Sequence, residues 1–143
     1  MSNEYDELFE KFSATPYAEL LGMRLLELSR GYAKLSMEVR PEHLNFGKLL
    51  HGGVVMSLAD QAFACAGNTF GKLYVAIQFD INLFGTAEVG ETIFTECNVL
   101  HIGKTIGVCE MTVTNSKGKL IAKATGNIAG IHNRKPTGEL IDG

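Results

Sequence analysis

Asp60 is the residue in this chain whose chemistry most needs an explanation. It falls in a stretch where Val55, Met56, Leu58, Ala59, Ala62, Phe63 and Ala66 recur at helical offsets with no proline among them, so a helix is expected from Gly53 onward. That helix is apolar nearly all the way round, the mark of one enclosed by protein, and Ser57, Asp60 and Gln61 are its exceptions. A carboxylate enclosed in this way is costly to desolvate unless something hydrogen-bonds it or its pKa moves. Asp60 is therefore the leading catalytic candidate, with Ser57 one turn earlier as a polar neighbour able to bond the carboxylate or a substrate.

A second chemical feature precedes the helix. The first N–H groups of a helix have no partner inside it, and the macrodipole places partial positive charge there. Gly52 and Gly53 let a ligand approach those donors, which is what an oxyanion site requires. Asp60 is seven residues beyond Gly53, on nearly the same face but roughly 10 Å along the axis. One reacting carbon can hardly touch both in one subunit. The expectation is that the donors of one chain are completed by Asp60 of another, across a twofold axis that sets two such helices side by side.

The elements that must hold these groups follow from patterning. The 143 residues are expected to form a single domain, 1–143, with a core large enough to need neither disulfide nor metal. A helical extension is predicted over about residues 3–21: Tyr5, Leu8, Phe9 and Phe12 share a helical face, and a short helical turn after Pro16 is stopped by Gly22. Two strands, residues 23–29 and 33–40, flank a turn at Arg30, Gly31 and Tyr32, and a loop carries His43, Asn45 and Gly47 into the central helix. Beyond the helix, Val75, Ile77, Phe79, Ile81 and Leu83 alternate with Ala76, Gln78, Asp80 and Asn82, and strands over 91–101, 105–115 and 120–131 are joined by turns at Gly103 and Gly118. A polar tail, about 132–143, is expected to end loosely. Six strands linked mostly by short turns make an antiparallel sheet, and the economical arrangement is an α+β fold with that sheet curved around one long central helix.

Several functions lose their support. A formal net charge of −3 and the lack of a basic run give no footprint for nucleic acid. The acidic N-terminus lacks a signal-peptide layout, so the cytoplasm is the expected compartment, and the longest apolar run is too short to span a bilayer. Cys65, Cys97 and Cys109 read as reduced core residues. His43, His51, His101 and His132 lack metal-ligand spacing, so no metal is expected, and no dinucleotide, P-loop or nucleophile-elbow motif occurs.

Asn45, Gly47, His51-Gly52-Gly53, Leu58-Ala59-Asp60, Ala62-Phe63-Ala64 and Asn68 together resemble the signature of hot-dog-fold acyl-CoA thioesterases of the phenylacetate-degradation, or PaaI-like, type. The likeness extends over about residues 20–131, through the turn ending at Gly90 and the hairpins at Gly103-Lys104-Thr105 and Gly118-Lys119. It implies a homodimer, often paired into a homotetramer, with sites at the subunit interface and no cofactor beyond the coenzyme A of the substrate. It further implies that the Gly52 N–H polarises the thioester carbonyl, with Gly53 beside it. Asp60 of the facing subunit would act as general base or nucleophile, and Asn45 and His51 would orient water and thioester. Gly103, Lys104 and Thr105 match a region lining the coenzyme A channel. Some relatives carry a water-holding serine near the end of the long strand, where this chain has Gly85 followed by Thr86. Hydratases of the same fold resemble a pattern with histidine five residues after the aspartate, a position held here by Cys65. A module that binds acyl-CoA without turning it over is the alternative. The acyl group, whether aryl-acetyl, hydroxybenzoyl or medium-chain, is left open.

Overall fold

The computed structural model describes residues 4–141, so the outermost residues of the predicted N-terminal extension and polar tail lie outside the described residues. Two short helices, α1 (Asp6–Ser13) and α2 (Pro16–Leu21), precede strands β1 (Met23–Ser29) and β2 (Tyr32–Glu38). Pro16 starts α2 at a position where its missing N–H is not needed, and Gly22, at φ +80°, stops it. A one-turn 3-10 segment, Pro41–His43, leads into α3 (Gly52–Gly67), and β3 (Tyr74–Leu83), β4 (Thr92–Ile102), β5 (Ile106–Asn115) and β6 (Leu120–Gly130) follow.

All strand pairs are antiparallel, in the order β1-β2-β4-β5-β6-β3. The first strand after the helix thus lies at an outer edge, and β4 fills the place beside β2. The curved face of this sheet wraps α3, which packs against β2, β4, β5 and β3. Val55, Leu58, Ala59, Ala62, Phe63 and Ala66 are buried there against Ala33, Leu35, Ile93, Cys97, Met111 and Ala124. All three cysteines are free and buried. Among the described residues no helix is long and apolar enough to cross a membrane.

Two patterns differ from the sequence reading. The alternation along β3 is broken by a bulge between Ala76 and Gln78, with Ile77 as the extra residue. Ala76 pairs with Ile128 before the bulge, while Phe79, Ile81 and Leu83 pair with Gly126, Ala124 and Ala122 after it. Directly opposed residues share a face, so even-numbered side chains point toward the helix before the bulge and odd-numbered ones after it. The tail does not end loosely either: residues 133–141 close into a small hairpin, with Lys135 N–H bonded to Glu139 O at 2.8 Å and Ile141 N–H to Asn133 O at 2.9 Å.

The helix is held close to the sheet at one point by the absence of a side chain. A Cβ built on Gly126 would lie 2.6 Å from Phe63 Cζ and 2.8 Å from the Gln78 carbonyl oxygen. Phe63 is fully buried and also meets Phe79, ring centroids 6.0 Å apart. Gly126→Ala should destabilise the fold by about 1–3 kcal/mol through overpacking, read as a lower urea midpoint at unchanged slope.

Candidate functional site

The loop before α3 is built around Asn45. Its Oδ1 accepts from the N–H groups of Gly47 (2.8 Å) and Leu49 (3.1 Å), and an isolated bridge between Leu44 and Leu50 closes the loop. Asparagine favours such turns because its short amide reaches its own backbone. The side chain is therefore a loop clamp through its oxygen, and its Nδ2 amide is left to serve as a donor. The N–H of His51 bonds the carbonyl of buried His43 at 2.8 Å, while His43 Nδ1 accepts from the Arg40 N–H at 3.0 Å, so the start of α3 is tied to the 3-10 turn. Burial, and then the charge of Arg40, hold His43 below the usual histidine range.

His51 is the N-cap of α3, and its Nδ1 accepts the Gly53 N–H at 2.8 Å. The sequence reading offered Gly52 and Gly53 as a pair of donors, and the structure corrects it: the second is occupied by the cap. The Gly52 N–H, first in the helix, has no partner among the described residues. Because Nδ1 accepts, the proton of a neutral His51 ring sits on Nε2, which gives this corner a second donor beside Gly52.

Ser57 is also placed differently from the expectation. Its hydroxyl donates to the Gly53 carbonyl at 2.8 Å and lies 2.8 Å from the Tyr17 hydroxyl, not on the Asp60 carboxylate. One turn on, Gln61 Nε2 donates to Thr15 Oγ1 at 3.1 Å, so the α1–α2 segment is pinned to α3 at two points. No periodic signal marked Tyr17 as a neighbour of the helix, since a tyrosine on a six-residue helix is patterned by nothing but itself.

α3 is not enclosed on all sides. Met56, Asp60 and Ala64, four residues apart, form a stripe that is exposed in the single chain. The Asp60 side chain has no hydrogen-bond or ion-pair partner among the described residues. Although the residue stands on the exposed stripe, its carboxyl shares a cavity of about 310 Å³ with Phe63, Ala64, Tyr74, Val75 and Ala76, and this desolvation pushes its pKa up. A larger depression of about 420 Å³ between α1 and β1 holds none of the predicted site residues.

Gly52 and Asp60 stand apart within one chain, as the spacing implied. β3 runs back alongside α3: Leu83, at its end, lies against Gly52, and Val75 and Ala76, near its start, line the cavity with Asp60. Thr86 is exposed beyond the strand, and the Gly85 N–H is bonded to the Ile121 carbonyl at 3.1 Å. Neither lines the cavity that holds Asp60. The Gly103 N–H closes its hairpin on the Ile106 carbonyl at 2.8 Å, the Thr105 carbonyl accepts the Gly130 N–H at 2.8 Å, and Lys72 Nζ caps the Lys104 carbonyl at 2.7 Å. That hairpin lies behind Tyr74, whose hydroxyl points at the Gly103 carbonyl 3.5 Å away.

The fold is thus a sheet wrapped around one helix, with an amide donor at the helix start and, on its open stripe, a carboxylate that has no partner among the described residues. The model of the thioesterase superfamily matches residues 47–122. The E. coli acyl-coenzyme A thioesterase PaaI is 34% identical over 105 residues, 73% of this chain and 75% of its own, and a protein of Archaeoglobus fulgidus is 42% identical over 118 residues, 82% of this chain and 77% of its own. The solved structure of E. coli PaaI superposes with a TM-score of 0.87 at 29% identity, covering 92% of this chain and 95% of that one. A Streptococcus mutans protein solved bound to acetyl CoA matches at a TM-score of 0.76 and 28% identity, covering 80% of this chain and 92% of that one. The chain belongs to the thioesterase superfamily, in its PaaI-like hot-dog group. It is a thioester hydrolase.

The raised pKa of Asp60 has a cost for stability. The folded chain holds this proton more tightly than the unfolded chain, whose ordinary value is 3.8. Relative to a group that does not titrate, Asp60 costs nothing below that value and destabilises the fold progressively as pH rises through the higher folded one. Asp60→Asn should therefore raise the thermal midpoint at neutral pH, and the gap should close as pH falls below the ordinary carboxylate range, as read by scanning fluorimetry across pH.

Proposed function

We propose that this chain hydrolyses acyl-CoA thioesters at two sites shared across a homodimer, each combining the Gly52 N–H of one chain with Asp60 of the partner subunit. The observation that carries this reading is the course of β3. It is an edge strand with one side of its ladder open, and Val75, Ile77, Leu83 and Phe84 on or just after it are 39%, 55%, 47% and 61% exposed. An apolar open edge of this kind is a template for pairing. Two copies of β3 joined antiparallel about their middles bring the Gly52 end of one chain to the Asp60 end of the other. The two halves that lie apart within a chain then face one another, and the open stripe of α3 is covered. The names of the relatives supply the acyl-CoA substrate, and the exposed Tyr17 and Leu20 leave apolar surface on which such dimers pair into a tetramer.

In this arrangement the thioester oxygen accepts the Gly52 N–H at the positive end of α3. The Nε2–H of His51 and the Nδ2 of Asn45 are the donors nearest in the loop to orient the thioester and water. Asp60 of the partner subunit takes a proton from water as the oxygen attacks the carbonyl carbon. The tetrahedral intermediate then collapses with loss of the CoA thiolate, which recovers that proton. Desolvation favours this role, because a carboxylate with a raised pKa is a better base.

Release of CoA thiol tests the roles. Asp60→Asn should lower kcat by about 10²–10⁴-fold. Gly52→Pro should remove the donor while sparing the helix, since proline is favoured at a first helical position and His51, at φ −66° and ψ 130°, is already extended as a residue before proline must be. A loss of about 10²–10³-fold in kcat is expected. Unchanged turnover in Asp60→Asn would end the base reading, and binding without turnover in the wild type would show a sensor instead.

Sharing has its own signature. A mixed dimer of Gly52→Pro and Asp60→Asn chains has one doubly defective site and one intact site, so remixing two inactive proteins should restore about a quarter of wild-type activity at statistical exchange. Sites lying within single chains would restore none.

A further inference from the structure

The cavity beside Asp60 selects the acyl group by what its walls withhold. It is lined by Phe63, Ala64, Leu73, Tyr74, Val75, Ala76 and Ile128, with Asp60 at one side and Asn68 at another. Asn68 looks like a polar contact for a ligand, but it is held by backbone: Nδ2 spends both hydrogens on the carbonyls of Ala64 (2.9 Å) and Tyr74 (3.1 Å), and Oδ1 already accepts the Tyr74 N–H at 2.8 Å. The Tyr74 hydroxyl is turned out of the cavity toward the Gly103 carbonyl. Asp60 is then the one lining side chain with an unengaged polar group.

We propose that this cavity is the acyl subsite and that it takes acyl groups apolar along their whole length, medium-chain or phenyl-substituted alkanoyl, while rejecting those with a hydroxyl or carboxylate at the far end. The proposal rests on the hydrolase reading above and extends it to specificity. The two ends of the substrate differ in their needs. The pantetheine arm carries two amides that cost free energy if buried unpaired, whereas a hydrocarbon acyl group needs only volume. A cavity whose side-chain amide is already satisfied suits the second and not the first, so the CoA arm leaves the reacting carbon in the other direction. A distal hydroxyl would lose its water without gaining a free side-chain partner from this wall, and a distal carboxylate would also stand in one cavity with Asp60.

The test uses the wild-type protein with two readouts. Thioether analogues of CoA, which cannot be hydrolysed, report binding by calorimetry, and the matching thioesters report kcat/KM. Hexanoyl and phenylacetyl compounds should exceed 4-hydroxyphenylacetyl and succinyl ones by about tenfold or more in both. Equal or better use of the hydroxylated or carboxylated compounds would overturn the proposal. Because the order is also read in binding, it stands or falls even if turnover is absent, and activity surviving in Asp60→Asn would defeat the mechanism without touching the selectivity. Ala76→Leu, which fills the cavity from the edge strand, should shift the phenylacetyl-to-acetyl ratio of kcat/KM toward acetyl by about tenfold. An unchanged ratio in a variant of wild-type mass in solution would place the acyl group elsewhere.

Discussion

A carboxylate with nothing to bond, on the one uncovered stripe of an otherwise buried helix, is the constraint around which this molecule is arranged. Evolution has cheap remedies for such a group: a lysine on the neighbouring strand or a threonine across the cavity would relieve it. Here the cavity neighbours include Phe63, Ala64 and Ala76, and the amide that also lines it, Asn68, is bonded to backbone. Partial burial without a partner pushes the Asp60 pKa up, so the proton is held more tightly in the folded chain. Stability comes from the sheet, whose concave face packs on α3 and buries Val55, Leu58, Ala59, Ala62, Phe63 and Ala66.

Much of this was legible before any coordinates. The strands after the helix alternate cleanly and are separated by glycine-bearing turns, so their ends were predicted to within a residue or two, and the spacing of Gly53 and Asp60 already argued against a site within one chain. Strand order was not legible, because nothing local says that β3 crosses to the far side of β6 and leaves β4 to pair with β2. The open stripe on α3 was missed for a related reason. Met56 and Ala64 are apolar and look like core, and residue type alone does not say which apolar positions on a helix the sheet leaves uncovered.

For the candidate site, the sequence named residues but not what each has left to bond. Residue types flagged Asn45, His51, Gly52, Gly53 and Ser57, but hydrogen bonding decides what each has left to offer. The Gly53 N–H is taken by His51, the Ser57 hydroxyl by Gly53 and Tyr17, and the Asn45 oxygen by Gly47 and Leu49. These are local competitions between side chain and backbone, settled by loop geometry that a linear pattern does not carry. What remains free after that accounting, the Gly52 N–H, the Asn45 Nδ2, the His51 Nε2 and the Asp60 carboxyl, is more informative than the motif itself, because it is stated atom by atom.

The bulge at Ile77 divides β3 into two parts with separate duties. Downstream of it, Phe79 and Ile81 anchor the strand against the core; upstream, Ala76 lines the cavity with Asp60. The extra residue decouples the two, so side-chain size can drift on the upstream part with little strain passed to the anchor. A scaffold hinged in this way can retune its ligand preference by single replacements, which makes the first three positions of the strand the place where paralogues of this chain would be expected to diverge.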